Sequence, residues 1–533
     1  MSDFLELKQV GVIVGEARSD QFFFVSRPDD YPARWEYLMV YSLEEVEGEF
    51  CEVPVVAQVE GVVAASQALS PTVDIEALNR ILAAEVYDVR TWGRARVLGY
   101  LDSEGRVLQP RRAVAPGKQV YIAPKTLLEK FYSFPDDERL HVGHLITRPD
   151  VPVHLSVRGF RRHLAIIAQT GAGKSYLAGV LMEELLRKGA TILVLDPHSD
   201  YVRLTMTPDG SLHELAYRIT VYRHPAATGR YQNLFNLRNY EIAFTELDAD
   251  DICDIAGIRE DATRQRAAVR KAVEHLANTA YTPQDLLKLL ENPPWKDEDG
   301  ELADAAHAAA RYIRYLTYLK VFGLSSTNVS ELLKPAHASI IDLSGLRDDS
   351  MNYIAYTILS KVYNTVSGGL FGYPVFIVIE EAHRFVPYGE ETYASAIINR
   401  IAAEGRKFGL FLILVTQRPS KIDDDSLSQC NSQIIMRLTN PEDQKAVAKS
   451  SERMSQDLLN DLPSLNQGEA VVVGEVTKVP VMMKVRPRTT MEGGADIDVV
   501  SKLREALNLV RNDKRADEED KRRRPFKGGF EET

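Results

Sequence analysis

Two periodicities divide the chain. From about residue 8 to 125 the apolar positions come in short runs: VGVIVGE, FFFVSR, YLMVYSL, CEVPVVAQVEGVVAA, RARVLGYL and KQVYIAP. Turns rich in Gly, Pro and Asp separate most of them. That spacing predicts a small all-β barrel, with an unrelated β-sandwich as the alternative. From near Arg148 the pattern changes. Continuous apolar runs at Leu164–Ala168, Thr191–Asp196, Ile219–Tyr222, Ser339–Leu343, Val375–Ile379 and Phe411–Thr416 are interleaved with helical patterns. Runs without polar alternation suit strands covered on both faces, so the expected class is α/β with a parallel-rich sheet. Between 238 and 335 the helical period takes over. Tyr240–Phe244, Ala249–Ala256, Asp261–Asn278, Thr282–Leu290 and Ala303–Tyr318 read as the helices of an insertion, and KDEDGE at 296–301 as a solvated loop. GEAVVVGEV and VPVMMKV return to strand patterning, Asp496–Arg511 is helical, and the charge-mixed remainder reads as a mobile tail. Lys521–Arg524 in that tail are either contacts to DNA or an acidic partner, or solubilising charge. The expected divisions are 1–147, then 148–237 with 336–490, the inserted 238–335, and 491–533.

Composition narrows the class only modestly. At 533 residues, 45% hydrophobic and 26% charged, the chain has ample core for two or three soluble domains. Cys51, Cys253 and Cys430 stand far apart, with no Cys/His cluster, so neither a zinc site nor a disulfide framework is expected and each cysteine reads as a small buried hydrophobe. No apolar run reaches ~18 residues, so no membrane span is expected. The start, MSDFLELKQVG, lacks the basic-then-apolar order of a secretory signal. Cytoplasm is the default. A net charge of −12 excludes indiscriminate coating of nucleic acid but leaves room for a locally basic channel inside an acidic exterior.

The candidate chemistry begins at residues 165–176, AIIAQTGAGKSY. A buried strand runs into a small-residue loop, Gln169 to Gly173, and Lys174 and Ser175 open a helix. This is the context a P-loop needs. Loop N–H groups and the positive helix end cradle polyphosphate, Lys174 reaches the β and γ phosphates, and the Ser175 hydroxyl binds Mg²⁺. Ala168 replaces the usual first glycine, at the strand end. PVFIVIEE at 374–381 is a second buried strand that ends in two carboxylates. Glu380 is read as holding the Mg²⁺ shell and Glu381 as polarising the attacking water, with a pair of solvated capping acids as the plain alternative. Gln417 at the tip of LFLILVT is either a γ-phosphate sensor or a strand-end hydrogen bond. Arg406, ending the helical pattern Tyr393–Lys407, is either an arginine finger for a neighbouring subunit or ordinary dipole compensation. Asp196-Pro197-His198 follows a strand, and His198 reads as a turn residue near the nucleotide, with metal binding as the alternative.

Taken together, AQTGAGKS, LVLDPHSDY at 193–201, VIEEAH at 378–383, EGRKFG at 404–409 and TQRPS at 416–420 resemble the HerA DNA translocases of the HerA–FtsK superfamily. VHLSVRGFRRHLAI before the P-loop and LPSLNQGEAVVVG at 462–474 extend the resemblance, in the family's order, over roughly 150–485. The resemblance implies a RecA-like ATPase core with an N-terminal HAS-barrel and a helical subdomain, assembled as a homo-hexamer that pumps double-stranded DNA with ATP and Mg²⁺. It implies nucleotide contacts from Thr170, Gly171, Ala172, Gly173, Lys174, Ser175 and Tyr176, metal contacts from Ser175 and Glu380, a Glu380–Glu381 Walker B pair, Gln417 as sensor and Arg406 as trans-acting finger. It further implies that the C-terminal segment can brace a neighbouring subunit. His383, Arg384, Arg418 and Lys421, with Lys407, are the candidate DNA contacts, each open to the alternative of an interface ion pair. Three roles compete: a pump acting with a NurA-like nuclease in end resection, a HerA-like ATPase in an antiviral complex with a sirtuin-like or nuclease effector, and a P-loop small-molecule kinase. The paired glutamates, Gln417 and Arg406 speak against the kinase.

Overall fold

The continuous apolar runs form the middle of one twelve-stranded sheet. In the computed structural model, residues 7–509 are described apart from 47, 85–87, 226, 278, 296–299, 320, 452 and 495–498. The strand order is Leu237–Asn239, Ile219–Arg223, Ala338–Asp342, Thr191–Asp196, Val375–Ile379, Leu410–Thr416, Leu164–Ile167, Ser432–Met436, Glu469–Val473, Val481–Val485, Arg139–Leu145 and Pro152–Ser156. Strands up to Ser432–Met436 pair in parallel, and those beyond it are antiparallel. Leu164–Ile167, Val375–Ile379 and Leu410–Thr416 are called below the P-loop, carboxylate and amide strands. The first is separated from the next strand in the chain, Thr191–Asp196, by the other two. That reversal of strand order opens a crevice at the carboxyl ends.

Each of these strands feeds two cores. Ala165, Ile167, Ile377, Ile379, Leu412 and Leu414 face one, while Leu164, Ile166, Phe376, Val378, Ile413 and Val415 face the other. Period-two side-chain alternation, with helices on both faces, is why the runs carry no polar positions. Helices Asp348–Ser367 and Tyr393–Glu404 and the inserted helices lie on the first side, and helix Lys174–Arg187 on the second.

The inserted helices are Ala249–Ala256, Thr263–Leu276, Pro283–Glu291 and Gly300–Leu319. The expected helix Tyr240–Phe244 is instead a short strand, Ile242–Ala243, paired with Phe322–Gly323, and then a single turn Phe244–Glu246. Five residues carry too little helical propensity to resist a strand partner.

At the N-terminus, strands Gln9–Ala17, Gln21–Ser26, Tyr37–Val46, Glu49–Ser66, Val89–Leu101 and Gln119–Ile122 close into a barrel. Closure comes from the pairing of Gln21–Ser26 with Val89–Leu101. Phe22, Phe24, Leu38, Val40 and Val55 fill it. The core sheet reaches further back than 148: Arg139–Leu145 pairs with Val481–Val485. Its partner is more than 300 residues away, so local pattern could not allocate it. Cys253 and Cys430 are buried as expected, but Cys51 is exposed, near the start of strand Glu49–Ser66 where all of residues 49–52 are open to solvent.

Residues 494–533 form a separate unit, helical over 499–509. The tail with Lys521–Arg524 and most of the 296–301 loop lie outside the described residues. Among the described residues, no helix is long and apolar enough to cross a membrane.

Candidate functional site

The three strand tips meet at one place. The P-loop strand lies beside the amide strand with Ile167 opposite Thr416, and the carboxylate strand flanks that in turn with Ile379 opposite Leu414. The loop after Ile167 turns through Gly171 at φ +78° and Gly173 at φ +106°, left-handed values that glycine reaches without strain. Ala168 is not among the positive-φ residues, so its methyl is tolerated where a glycine was expected. Helix Lys174–Arg187 then starts with its free N–H groups facing the loop.

Lys174 is nearly buried, and its ammonium bridges the two carboxylates. It donates to Glu380 Oε1 and, at 2.9 Å, to Glu381 Oε1. Burial alone would lower the Lys174 pKa, but the two glutamates outweigh it and hold it above its ordinary value. Glu380 is fully buried, and burial raises its carboxyl against the opposing pull of Lys174. Glu381 sits in the left-handed region at φ +50°, a strained conformation for a glutamate. Its second oxygen, Oε2, is buried and makes no hydrogen bond, although the His383 ring nitrogen Nδ1 stands 3.3 Å from it. Such an oxygen is costly to leave unpaired, and a water supplied with the substrate would pair it.

A third loop completes the pocket, and sequence reasoning assigned it no role beyond the turn at His198. Strand Thr191–Asp196 ends at a buried carboxylate that accepts N–H bonds from His198, Asp200 and Tyr201, which folds DPHSDY back on itself. Asp200 thereby accepts from the Ser175 hydroxyl at 2.8 Å, and the fully buried Tyr201 hydroxyl donates to Glu380 Oε2. Ser175 Oγ is also 3.4 Å from Glu380 Oε1. One hydroxyl between two carboxylates is a set of hard oxygen donors, and it fits a magnesium ion that keeps several waters. The signal was present in LVLDPHSDY, but the contacts arise only when two distant strands align.

The remaining expected residues divide. The Thr170 hydroxyl donates to Gln417 Oε1, so the amide stands at the loop. The Tyr176 hydroxyl accepts from the Arg488 backbone N–H at 2.7 Å, which ties the helix start to the C-terminal strand region. Of the expected DNA contacts, Arg418 and Lys421 are exposed. His383 is not free on the surface: its Nδ1 is 3.3 Å from Glu381 Oε2 and 3.2 Å from Thr416 Oγ1, because the turn after Glu381 points it inward. Burial lowers its pKa. Arg384 is paired with Asp348, with Nε at 3.0 Å, which answers the acidic first turn of that helix.

Arg406 is exposed in the turn Gly405–Lys407, immediately before the amide strand. Seven residues of that strand lie between it and the pocket, roughly 20 Å at ~3.3 Å per residue. It cannot serve its own chain's pocket.

A sequence profile described as Helicase HerA, central domain, matches residues 140–362. A probable helicase of Methanocaldococcus jannaschii, MJ1565, is 32% identical over 92% of this chain and 93% of its own length. The DNA double-strand break repair helicase HerA of Pyrococcus furiosus is 30% identical over 81% of this chain and 85% of its own. Among solved structures, the bacterial conjugative coupling protein TrwB aligns at 14% identity over 70% of this chain and 94% of its own, with a TM-score of 0.47.

Proposed function

The chain belongs to the HerA helicase family, and from that premise we propose that it is a ring-forming motor that moves double-stranded DNA in repair of broken ends. It is an ATPase. In the proposed reaction Thr170 to Tyr176 hold the polyphosphate, with Lys174 released from its two carboxylates to meet it. Ser175, Glu380 and Asp200 would hold Mg²⁺, which would neutralise charge on the phosphate oxygens. Glu381, through its Oε2, orients and deprotonates the attacking water, and the Gln417 amide reports on the terminal phosphate beside Thr170.

One observation carries the assembly: Arg406 is exposed, without a side-chain hydrogen bond or ion pair among the described residues, and about a strand's length from its own pocket. A cation so placed completes a neighbour's site, which supports the homo-hexameric ring and the coupling of one site to the next. Arg418 and Lys421 are the exposed cations that we assign to the DNA backbone, in a sequence-independent and salt-sensitive contact. Cleavage of the DNA falls to a separate nuclease partner of NurA type, and the cytoplasm is the proposed place of action.

The test combines native mass with phosphate release. We expect a closed oligomer, ATP hydrolysis stimulated by duplex DNA, and a stimulation that grows with duplex length. Full hydrolysis by a solitary subunit would refute the shared site. Hydrolysis indifferent to DNA in an intact ring would refute the pump and leave a scaffold.

A further inference from the structure

His163 occupies a position that a histidine should avoid. Its backbone lies at φ +54°, ψ 163°, a conformation that glycine alone adopts with ease, and its side chain is buried to 1% exposure. It stands directly before the P-loop strand. The imidazole spans two backbone groups. Nε2 is 2.9 Å from the carbonyl of Ala402, in the last turn of helix Tyr393–Glu404, where helix carbonyls run out of donors. Leu412 N–H, in the amide strand, donates to Nδ1 at 2.9 Å. The second contact requires Nδ1 to be bare, so Nε2 carries the proton and donates to Ala402. Burial keeps the ring neutral, with its pKa lowered to about 4.

Ala402 and Leu412 bracket the segment that carries Arg406. The flanks of that segment are held elsewhere too: Glu404 accepts from the Tyr363 hydroxyl and from Arg400 Nε at 2.7 Å, and Phe408 meets the Tyr363 ring edge-on at 6.0 Å between centroids. The Arg406 guanidinium, like the neighbouring Lys407 ammonium, is left to project from an exposed turn. We propose that His163 is a positioning residue for Arg406, an imidazole clamp that fixes the finger turn to the strand leading into the P-loop of the same chain. This rests on the reading of Arg406 as a trans-acting finger. Through the clamp, a shift of the P-loop strand on nucleotide binding reaches the finger that serves the neighbouring site.

Full-length protein with His163→Asn, His163→Gln, Arg406→Ala and His163→Asn combined with Arg406→Ala tests this by duplex-stimulated ATP hydrolysis and by binding of a fluorescent ADP. Asn tolerates the positive φ and keeps an acceptor near Leu412, but it is too short to reach Ala402. We expect His163→Asn to lower kcat about ten- to a hundredfold, with KM and ADP affinity within about twofold. His163→Gln, whose longer amide reaches towards Ala402, recovers part of the loss. On top of Arg406→Ala, His163→Asn costs nothing more, because the residue it positions is already gone. An additional slowing by the same factor in the double variant, or a loss of ADP binding, makes His163 merely structural and overturns the proposal. Should His163→Asn not fold, the same comparisons are made with His163→Gln. Loss of activity in Arg406→Ala beside full activity in both His163 variants sinks the clamp alone, whereas full activity in Arg406→Ala sinks the finger beneath it.

Discussion

Replacing Glu381 by Gln separates binding from chemistry at this site. The amide is isosteric, keeps an oxygen for Lys174, and can occupy the same φ of +50°. Glu380 still holds Lys174 and remains hydrogen-bonded to Tyr201, so the pocket that receives polyphosphate stays formed. What is lost is a proton acceptor at Oε2, the oxygen now buried without a hydrogen bond. Positioned general bases contribute about 10²- to 10⁴-fold, which corresponds to ~3–5.5 kcal/mol in the barrier. Phosphate release by Glu381→Gln is therefore expected to fall by about that factor, with the KM for ATP changed by less than about threefold. Filter binding should show the variant retaining unhydrolysed ATP. A kcat within about threefold of the parent would remove Glu381 from the reaction, and a large rise in KM with kcat intact would recast it as a binding group.

Tyr201→Phe deletes the buried hydroxyl bonded to Glu380. It should cost ~1.5–3 kcal/mol of stability by denaturant titration and raise the magnesium concentration needed for half-maximal hydrolysis; an unchanged magnesium titration would detach Tyr201 from the metal-holding carboxylate. Arg418→Ala and Lys421→Ala are each expected to weaken duplex binding for all sequences and to flatten the log affinity against log salt plot by about one contact. Arg384→Ala, whose guanidinium is spent on Asp348, should leave that slope alone; the reverse pattern would exchange their roles. For pH, His163 and His337 are both held at about 4 by burial, against an ordinary value of 6.5. The unfolded chain then binds more protons, so stability is complete above 6.5 and is lost as pH falls towards 4, by up to ~3 kcal/mol per histidine. His163→Asn should shallow the slope of stability against pH in that window, and an unaltered slope would mean that the imidazole is not buried neutral.

Some of the pocket was legible because its parts are contiguous. Thr170 to Ser175 lie within one strand-turn-helix unit, and Glu380-Glu381 announce themselves by ending an apolar run. Asp200 and Tyr201 were visible as a motif but not as site residues, since nothing local says that the loop after one strand meets the tip of another. His383 was misplaced for a related reason: its neighbours in sequence suggest a loop, while a left-handed turn at Glu381 aims its ring at Thr416. Tyr240–Phe244 and the early start of the core sheet at Arg139 failed because a short segment takes its structure from a partner far along the chain.

By itself the sequence settled the α/β class, the barrel's strand pattern, most of the inserted helices and the strand-turn-helix around Gly171 and Gly173, because each follows from a periodicity or spacing confined to a few tens of residues. The tertiary structure alone decided the strand order that gathers Lys174, Glu380, Asp200 and Gln417, the pairing of Lys174 with both carboxylates, and the distance that keeps Arg406 from its own pocket. Those are set by which strands lie side by side, and hydrogen-bonded pairing across hundreds of residues is a competition among whole sheets that no local pattern encodes.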